Sequence, residues 1–185
     1  MYLYEIAKDE LLNLSQSGRP FNFTMLTVDT HHVGGYICPL CGGGYNPDDS
    51  PSVTAAAVSC ADRQAADFLS WCREQDFYKD TVIVVTGDHP RMDTNLVENV
   101  SYYDRTVYNC FLNCGLPART GNRELTTMDL FPTALAAMGF QIEGDRLGLG
   151  ANLFSGRPTL CEELGYDALN AEIRKYSPYF IKHFA

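Results

Sequence analysis

Apolar residues at Leu3, Ile6, Ala7, Leu11 and Leu14 recur at three- and four-residue steps. That period predicts an amphipathic helix over residues 2–15. Gly18 offers a C-terminal stop and Pro20 blocks continuation. The β-rich run Phe21–Val28 predicts a buried strand that ends at Asp29-Thr30-His31-His32. From Val33 to Ser50, Gly34, Gly35, Pro39, Gly42, Gly43, Gly44 and Pro47 predict a loop. Asp49 or Ser50 then caps a second helix with Pro51 in its first turn. Ala56, Ala57, Cys60, Ala61, Ala65, Phe68, Leu69 and Cys72 form that helix's apolar face.

The segment Thr81-Val82-Ile83-Val84-Val85-Thr86 is apolar and β-branched almost throughout. This is the pattern of a parallel strand buried on both faces, and it runs directly into Gly87-Asp88-His89. A further strand is expected over Thr106–Asn113. Thr126 or Thr127 caps a helix carrying Leu130, Phe131, Ala134, Leu135 and Met138. The tail from Cys161 to Phe184 reads as helical with a break near Pro178. Alternating helices and buried strands predict an α/β fold with a mainly parallel sheet and helices on both faces. At 185 residues the chain suffices for one sizeable core, so residues 1–185 are expected to form a single domain.

Charge narrows the partners. The net charge is −9, a surface that repels nucleic acid but leaves room for one phosphate held by a metal and local cations. No apolar run reaches the roughly 18–20 residues of a membrane span. Met1-Tyr2-Leu3-Tyr4-Glu5 lacks the basic start of an export signal. An extracytoplasmic role would therefore need upstream segments for export and membrane contact. Among the seven cysteines, Cys72, Cys110, Cys114 and Cys161 sit in apolar surroundings and read as small buried hydrophobes.

Active sites of α/β folds lie beyond the carboxyl ends of strands. Two such ends carry groups that can bind metal: Asp29-Thr30-His31-His32 and Asp88-His89. Gly87 and Pro90 favour a turn that lets Asp88 and His89 face one point. A carboxylate with an imidazole suits manganese, zinc or iron, and magnesium less readily. As ordinary structure, the same residues would be a helix cap and a pair of surface histidines. Cys38-Pro39-Leu40-Cys41 is half of a zinc knuckle, but no second closely spaced pair follows. It lies in a glycine-rich loop, whereas a redox motif opens a helix.

The run Leu26–His32 before a glycine-rich stretch resembles the histidine motif of the phosphoglycerol transferases, and Thr81–His89 resembles their Asp-His metal motif. Arg146–Gly156 is similar to their C-terminal segment, so the likeness runs from about Leu3 to about Gly156. These enzymes belong with lipoteichoic acid synthases and sulfatases in the alkaline phosphatase superfamily. The members most similar in these motifs modify periplasmic glucans.

The resemblance implies an alkaline phosphatase-like fold of which this chain is a C-terminal fragment. It implies metal-dependent transfer of phosphoglycerol from phosphatidylglycerol to a glycan or polymer at the outer face of the bacterial membrane. Asp88 and His89 would hold the divalent cation, manganese first, with magnesium or zinc as alternatives. His31 or His32 would face the phosphate, and Arg91 would add a bidentate fork. The threonine nucleophile and a further acidic ligand belong upstream; Thr24 and Thr27 do not match the nucleophile's context. Val33 replaces a proline found after the paired histidines, and Pro90-Arg91 follows Asp88-His89. The acceptor thus stays open between a glucan, a teichoic acid chain and water. The likeness also implies a disulfide from Cys41 or Cys38 to Cys60, which an extracytoplasmic site permits. Sulfatase or phosphoethanolamine transferase chemistry, or a non-catalytic glycan-binding or regulatory module, are the alternatives.

Overall fold

The amphipathic stripe near the N-terminus folds as helix α1, Tyr2–Gln16, with Tyr4, Ala7 and Leu11 buried. Those positions are three and four apart, so they share one face. Burying Leu11 there contributes roughly 2 kcal/mol. Gly18 at φ 66° turns the chain out of the helix, a left-handed conformation that glycine reaches without a Cβ clash. The computed structural model describes residues 2–31, 35–90, 92, 96, 105–117 and 121–184. The chain divides into two compact units, Met1–Thr81 with Gly87–Tyr108, and Val82–Thr86 with Asn109–Ala185.

In the first unit α1 packs against α2, Ser50–Arg73. Asp49 precedes α2 in extended geometry and proline occupies its first turn, as the sequence suggests. An aromatic ladder joins the helices. Tyr4 meets Phe68 at 5.2 Å, Phe68 stacks on Trp71 at 5.9 Å, and Trp71 meets Phe77 at 6.0 Å. The Lys8 ammonium lies 5.8 Å from the Trp71 ring, a cation–π contact. Cys72 of α2 is buried, and burial pushes its thiol up to about 11, so it is an inert packing group.

Phe21–Val28 forms no strand. Burial alternates along residues 21–26, with Phe21, Phe23 and Met25 half-buried and Asn22, Thr24 and Leu26 exposed. No ladder partner pairs with this segment among the described residues.

The second unit contains β1, Ile83–Thr86, and β2, Asn109–Leu112. They pair antiparallel, Ile83 opposite Leu112 and Thr86 opposite Asn109. This corrects the expected parallel strand. Burial along β1 alternates, so the apolar run covers one face of a two-stranded ribbon. The second ribbon, β3 (Arg146–Leu147) with β4 (Gly150–Ala151), is also antiparallel. Both described sheets are therefore antiparallel, and the chain is a mixture of helices and small sheets.

Helix α3, Leu130–Ala137, follows a short 3-10 turn over Thr127–Asp129. Asp129, 2% exposed, organises this region. Its carboxylate accepts from the Thr126 N–H at 2.8 Å and from the Ala151 N–H at 2.7 Å, which fastens the β3–β4 hairpin to the start of α3. Gly150 is required there, because a Cβ would fall 1.9 Å from the Met128 carbonyl oxygen. Buried Thr133 donates to the Asp129 carbonyl and accepts from the Leu153 N–H. The tail supplies α4 (Leu160–Leu164), α5 (Tyr166–Ile173) and α6 (Pro178–Phe184). Thr159 and Glu162 close a capping box on α4. Arg123 forks onto Glu162 at 2.9 and 2.6 Å and also donates to the Leu153 and Arg157 carbonyls. Its guanidinium, with the capping hydrogen bonds of Thr159, holds the Glu162 carboxyl down at about 2.

Candidate active site

The Asp88–His89 pair begins at Gly87, whose N–H donates to the Tyr108 carbonyl at 2.9 Å. A Cβ at Gly87 would meet the Val107 Cβ at 3.0 Å, so the small residue lets the two segments close up. The chain then turns, and the His89 N–H donates to Asp88 Oδ1 at 2.9 Å. The turn brings both side chains to one side. Asp88 Oδ2 lies 3.4 Å from His89 Nε2. His89 Nδ1 sits 2.8 Å from the Pro90 carbonyl oxygen. A carbonyl only accepts, so Nδ1 carries the proton in this contact, and in the neutral ring the Nε2 lone pair faces the carboxylate oxygen. A backbone carbonyl that fixes the tautomer of a histidine is the usual outer partner of a metal ligand.

Both side chains are open to solvent, Asp88 at 73% and His89 at 56%. Their donor set, one carboxylate oxygen and one imidazole nitrogen, fits half of a divalent metal site. Among the described residues no group of three histidine, cysteine or acidic side chains comes together to complete one.

The Asp29–His31 segment is built differently. The His31 N–H donates to the Val28 carbonyl at 2.9 Å, closing a tight turn that leaves His31 exposed. Asp29 anchors the turn. Its carbonyl accepts from the Tyr36 N–H at 2.7 Å, and its carboxylate lies 3.4 Å from Gln64 Nε2 on α2. Burial, and then the Asp29 charge, raise the Tyr4 phenol above its ordinary value. Gly35 brings the returning loop onto α2 at φ 80°, where a Cβ would sit 2.6 Å from the Ala57 Cβ and 2.8 Å from the Asp29 carbonyl oxygen. A disulfide joins Cys41 to Cys60 on α2, with Cα atoms 5.6 Å apart. Cys38 keeps a buried free thiol. The His31 loop is thus held to α2 by an amide–carboxylate contact, a glycine approach and a covalent bond. His32 and Arg91 lie outside the described residues.

Sequence reasoning finds Gly35 only as a loop breaker and misses Gln64. The one signal for Gln64 is its place one helical turn after Cys60, and its amide contacts the Cys60 sulfur at 3.3 Å. A groove of about 170 Å³ lies beside the disulfide, lined by Ile37, Gly43, Tyr45, Ser59 and Arg63 among others. That is smaller than the roughly 300 Å³ at which ligand pockets begin, and neither Asp88 nor His89 lines it.

Comparison with known proteins supplies the context for these residues. The chain is 36% identical over 147 residues to phosphoglycerol transferase I of Salmonella choleraesuis, covering 78% of this chain and 19% of that protein. It is 35% identical over the same length to the proteins of that name from Salmonella paratyphi B and Salmonella typhimurium. The chain spans about a fifth of the length of these curated relatives. A match over 78% of 185 residues necessarily includes the middle of the chain, and with it Asp88 and His89. No family model matches the chain. No solved structure matches it.

Proposed function

We propose that this chain, a relative of the phosphoglycerol transferases, supplies half of the metal site and a phosphate-facing histidine to such an enzyme. The observation that carries this reading is the 36% identity to phosphoglycerol transferase I across the segment containing Asp88 and His89. The facing of Asp88 Oδ2 and His89 Nε2, with the ring tautomer set by the Pro90 carbonyl, supports it. In our reading the chain is a C-terminal part of an alkaline phosphatase-like catalytic domain. The remaining ligands and the nucleophile come from elsewhere in the full-length polypeptide.

Asp88 and His89 would hold a divalent cation, manganese first, with magnesium or zinc as alternatives. When bound, that ion neutralises charge on the phosphate oxygens and lowers the pKa of the attacking hydroxyl. The donor is phosphatidylglycerol. A threonine oxygen attacks phosphorus, the bond from phosphorus to the diacylglycerol oxygen breaks, and that oxygen takes up a proton. An acceptor hydroxyl on a glycan or polymer then attacks the phosphoglyceryl-threonine, releasing the threonine oxygen and completing the transfer. His31, or His32 beside it, delivers the proton to the leaving oxygen and steadies the phosphate. Arg91 adds a bidentate contact to the phosphate. This chemistry belongs at the outer face of the bacterial membrane.

Intact-protein mass spectrometry tests the proposal. The full-length enzyme and this chain are each incubated with phosphatidylglycerol and manganese. A phosphoglycerol adduct on the full-length enzyme, and none on this chain, is the expected result. No adduct on either, with phosphatidylethanolamine and sulfate esters equally silent, would favour a non-catalytic module. An adduct from phosphatidylethanolamine alone would move the assignment to a phosphoethanolamine transferase.

A further inference from the structure

Helix α6 leaves most of its apolar surface in water. Tyr179 is 68% exposed, Phe180 56% and Phe184 69%, and Tyr176 just before the helix is 76% exposed. The rings of the helix itself touch one another. Phe180 meets Phe184 at 5.6 Å, Tyr179 meets His183 at 4.6 Å, and Tyr179 meets Phe184 at 6.3 Å. Residues four apart lie over one another on a helix, so the two i,i+4 pairs make one continuous aromatic face. Exposed apolar side chains scattered singly are ordinary; a contiguous cluster marks a surface that meets something.

The charge around that face says what it meets. The chain carries a net charge of −9, yet from Arg174 to Phe184 it holds Arg174, Lys175 and Lys182 and no carboxylate. Glu172 pairs with Lys175 from just upstream, but both side chains are more than half exposed, so water screens the pair. Exposed tyrosine and phenylalanine rings flanked by cations suit a bilayer interface, where the rings enter the headgroup layer and the cations meet lipid phosphates. Lysine and arginine stems lie along apolar surface while their heads stay in water.

We propose that residues 173–184 dock on an anionic lipid surface, with Tyr179, Phe180 and Phe184 entering the headgroup layer and Arg174, Lys175 and Lys182 facing phosphates. The local excess of cations in an acidic chain selects a negatively charged surface. At seven residues α6 lies on the membrane and does not cross it. This contact is independent of the Asp88–His89 chemistry and adds a membrane contact within the chain itself.

The test is co-sedimentation of the full 185-residue chain with vesicles of phosphatidylcholine alone and of equal parts phosphatidylcholine and phosphatidylglycerol. The chain is expected to pellet with the mixed vesicles and stay in solution with the neutral ones. Replacing phosphatidylglycerol by phosphatidylserine should preserve binding, because the surface charge is what is read. K175E/K182E should weaken partition by about tenfold or more, at about fivefold per cation. F180S/F184S should also weaken it by about tenfold or more. All four positions are exposed, so the variants should keep the wild-type far-ultraviolet circular dichroism.

No binding, equal binding to both vesicle types, or binding unchanged in both variants would overturn the proposal. Binding restricted to phosphatidylglycerol would overturn it too, and would assign the effect to donor recognition. A dimer abolished by F180S/F184S, with no vesicle binding, would give the face to a second copy of the chain.

Discussion

Asp88 and Asp129 are the same side chain under opposite treatment. Asp129 is 2% exposed, and its carboxylate accepts from two backbone N–H groups of the second unit. Asp88 is 73% exposed; its Oδ1 accepts from the next residue's N–H and its Oδ2 faces an imidazole nitrogen. A buried carboxylate must have its hydrogen bonds made within the protein, so Asp129 is committed to joining α3 to the β3–β4 hairpin. Asp88 keeps acceptor capacity free for a ligand. The degree of commitment to the fold thus distinguishes a scaffold carboxylate from one available for chemistry.

The largest expected effect falls on the scaffold side. Asp129→Ala leaves the Thr126 and Ala151 N–H groups without their partner, and the loss should be about 4 kcal/mol, read by urea denaturation. Asp88→Ala in the same assay should change stability by less than about 0.5 kcal/mol. Equal losses would erase the comparison.

The effect reverses when activity is read. Asp88→Asn in the full-length enzyme should lower metal-dependent turnover by about a hundredfold or more, with folding intact. Turnover at the wild-type level would remove Asp88 from the mechanism.

Next comes Gly35→Ala. It adds a Cβ 2.6 Å from that of Ala57 at φ 80°, which should cost about 2 kcal/mol. The same assay should show a neutral Gly43→Ala, because nothing lies within 4 Å of a Cβ there.

The smallest effect concerns acid. The Glu162 carboxyl is lowered from 4.5 to about 2 by Arg123, so the unfolded chain binds more protons than the folded one between those values. The stabilisation is complete above pH 4.5 and fades as pH falls toward 2. For a pair about a quarter exposed, solvent screening reduces it to about 1 kcal/mol. Glu162→Gln should remove this part of the acid sensitivity, measured as the difference between denaturation midpoints at neutral and acid pH.

Local signals in the sequence read well. Helical spacing gives α1, and the Asp49 start with Pro51 gives α2. The apolar run before Gly87 gives β1 and places Asp88 and His89 at its end. Non-local pairing is what the pattern withholds. The run Thr81–Thr86 suits a strand buried on two faces, but its partner Asn109–Leu112 runs antiparallel, and burial alternates. Phe21–Val28 has strand-forming side chains and no ladder partner among the described residues. The scaffold left a legible trace of which only Thr126, as a candidate cap, is read. Thr126 with Asp129, and Thr159 with Glu162, both carry the capping-box spacing. Neither box names its distant partner, Ala151 or Arg123, which only the folded chain supplies. At the site, likeness to a family directs attention to Asp88 and His89, and geometry adds the Pro90 carbonyl that orients the ring.

The most direct test of the Asp88–His89 metal site is manganese binding by the full-length enzyme, followed by electron paramagnetic resonance, in wild type, Asp88→Asn and Glu162→Gln. One tightly held ion is expected in wild type and in Glu162→Gln, with affinity lowered by about a hundredfold in Asp88→Asn. Undiminished manganese affinity in Asp88→Asn would contradict it.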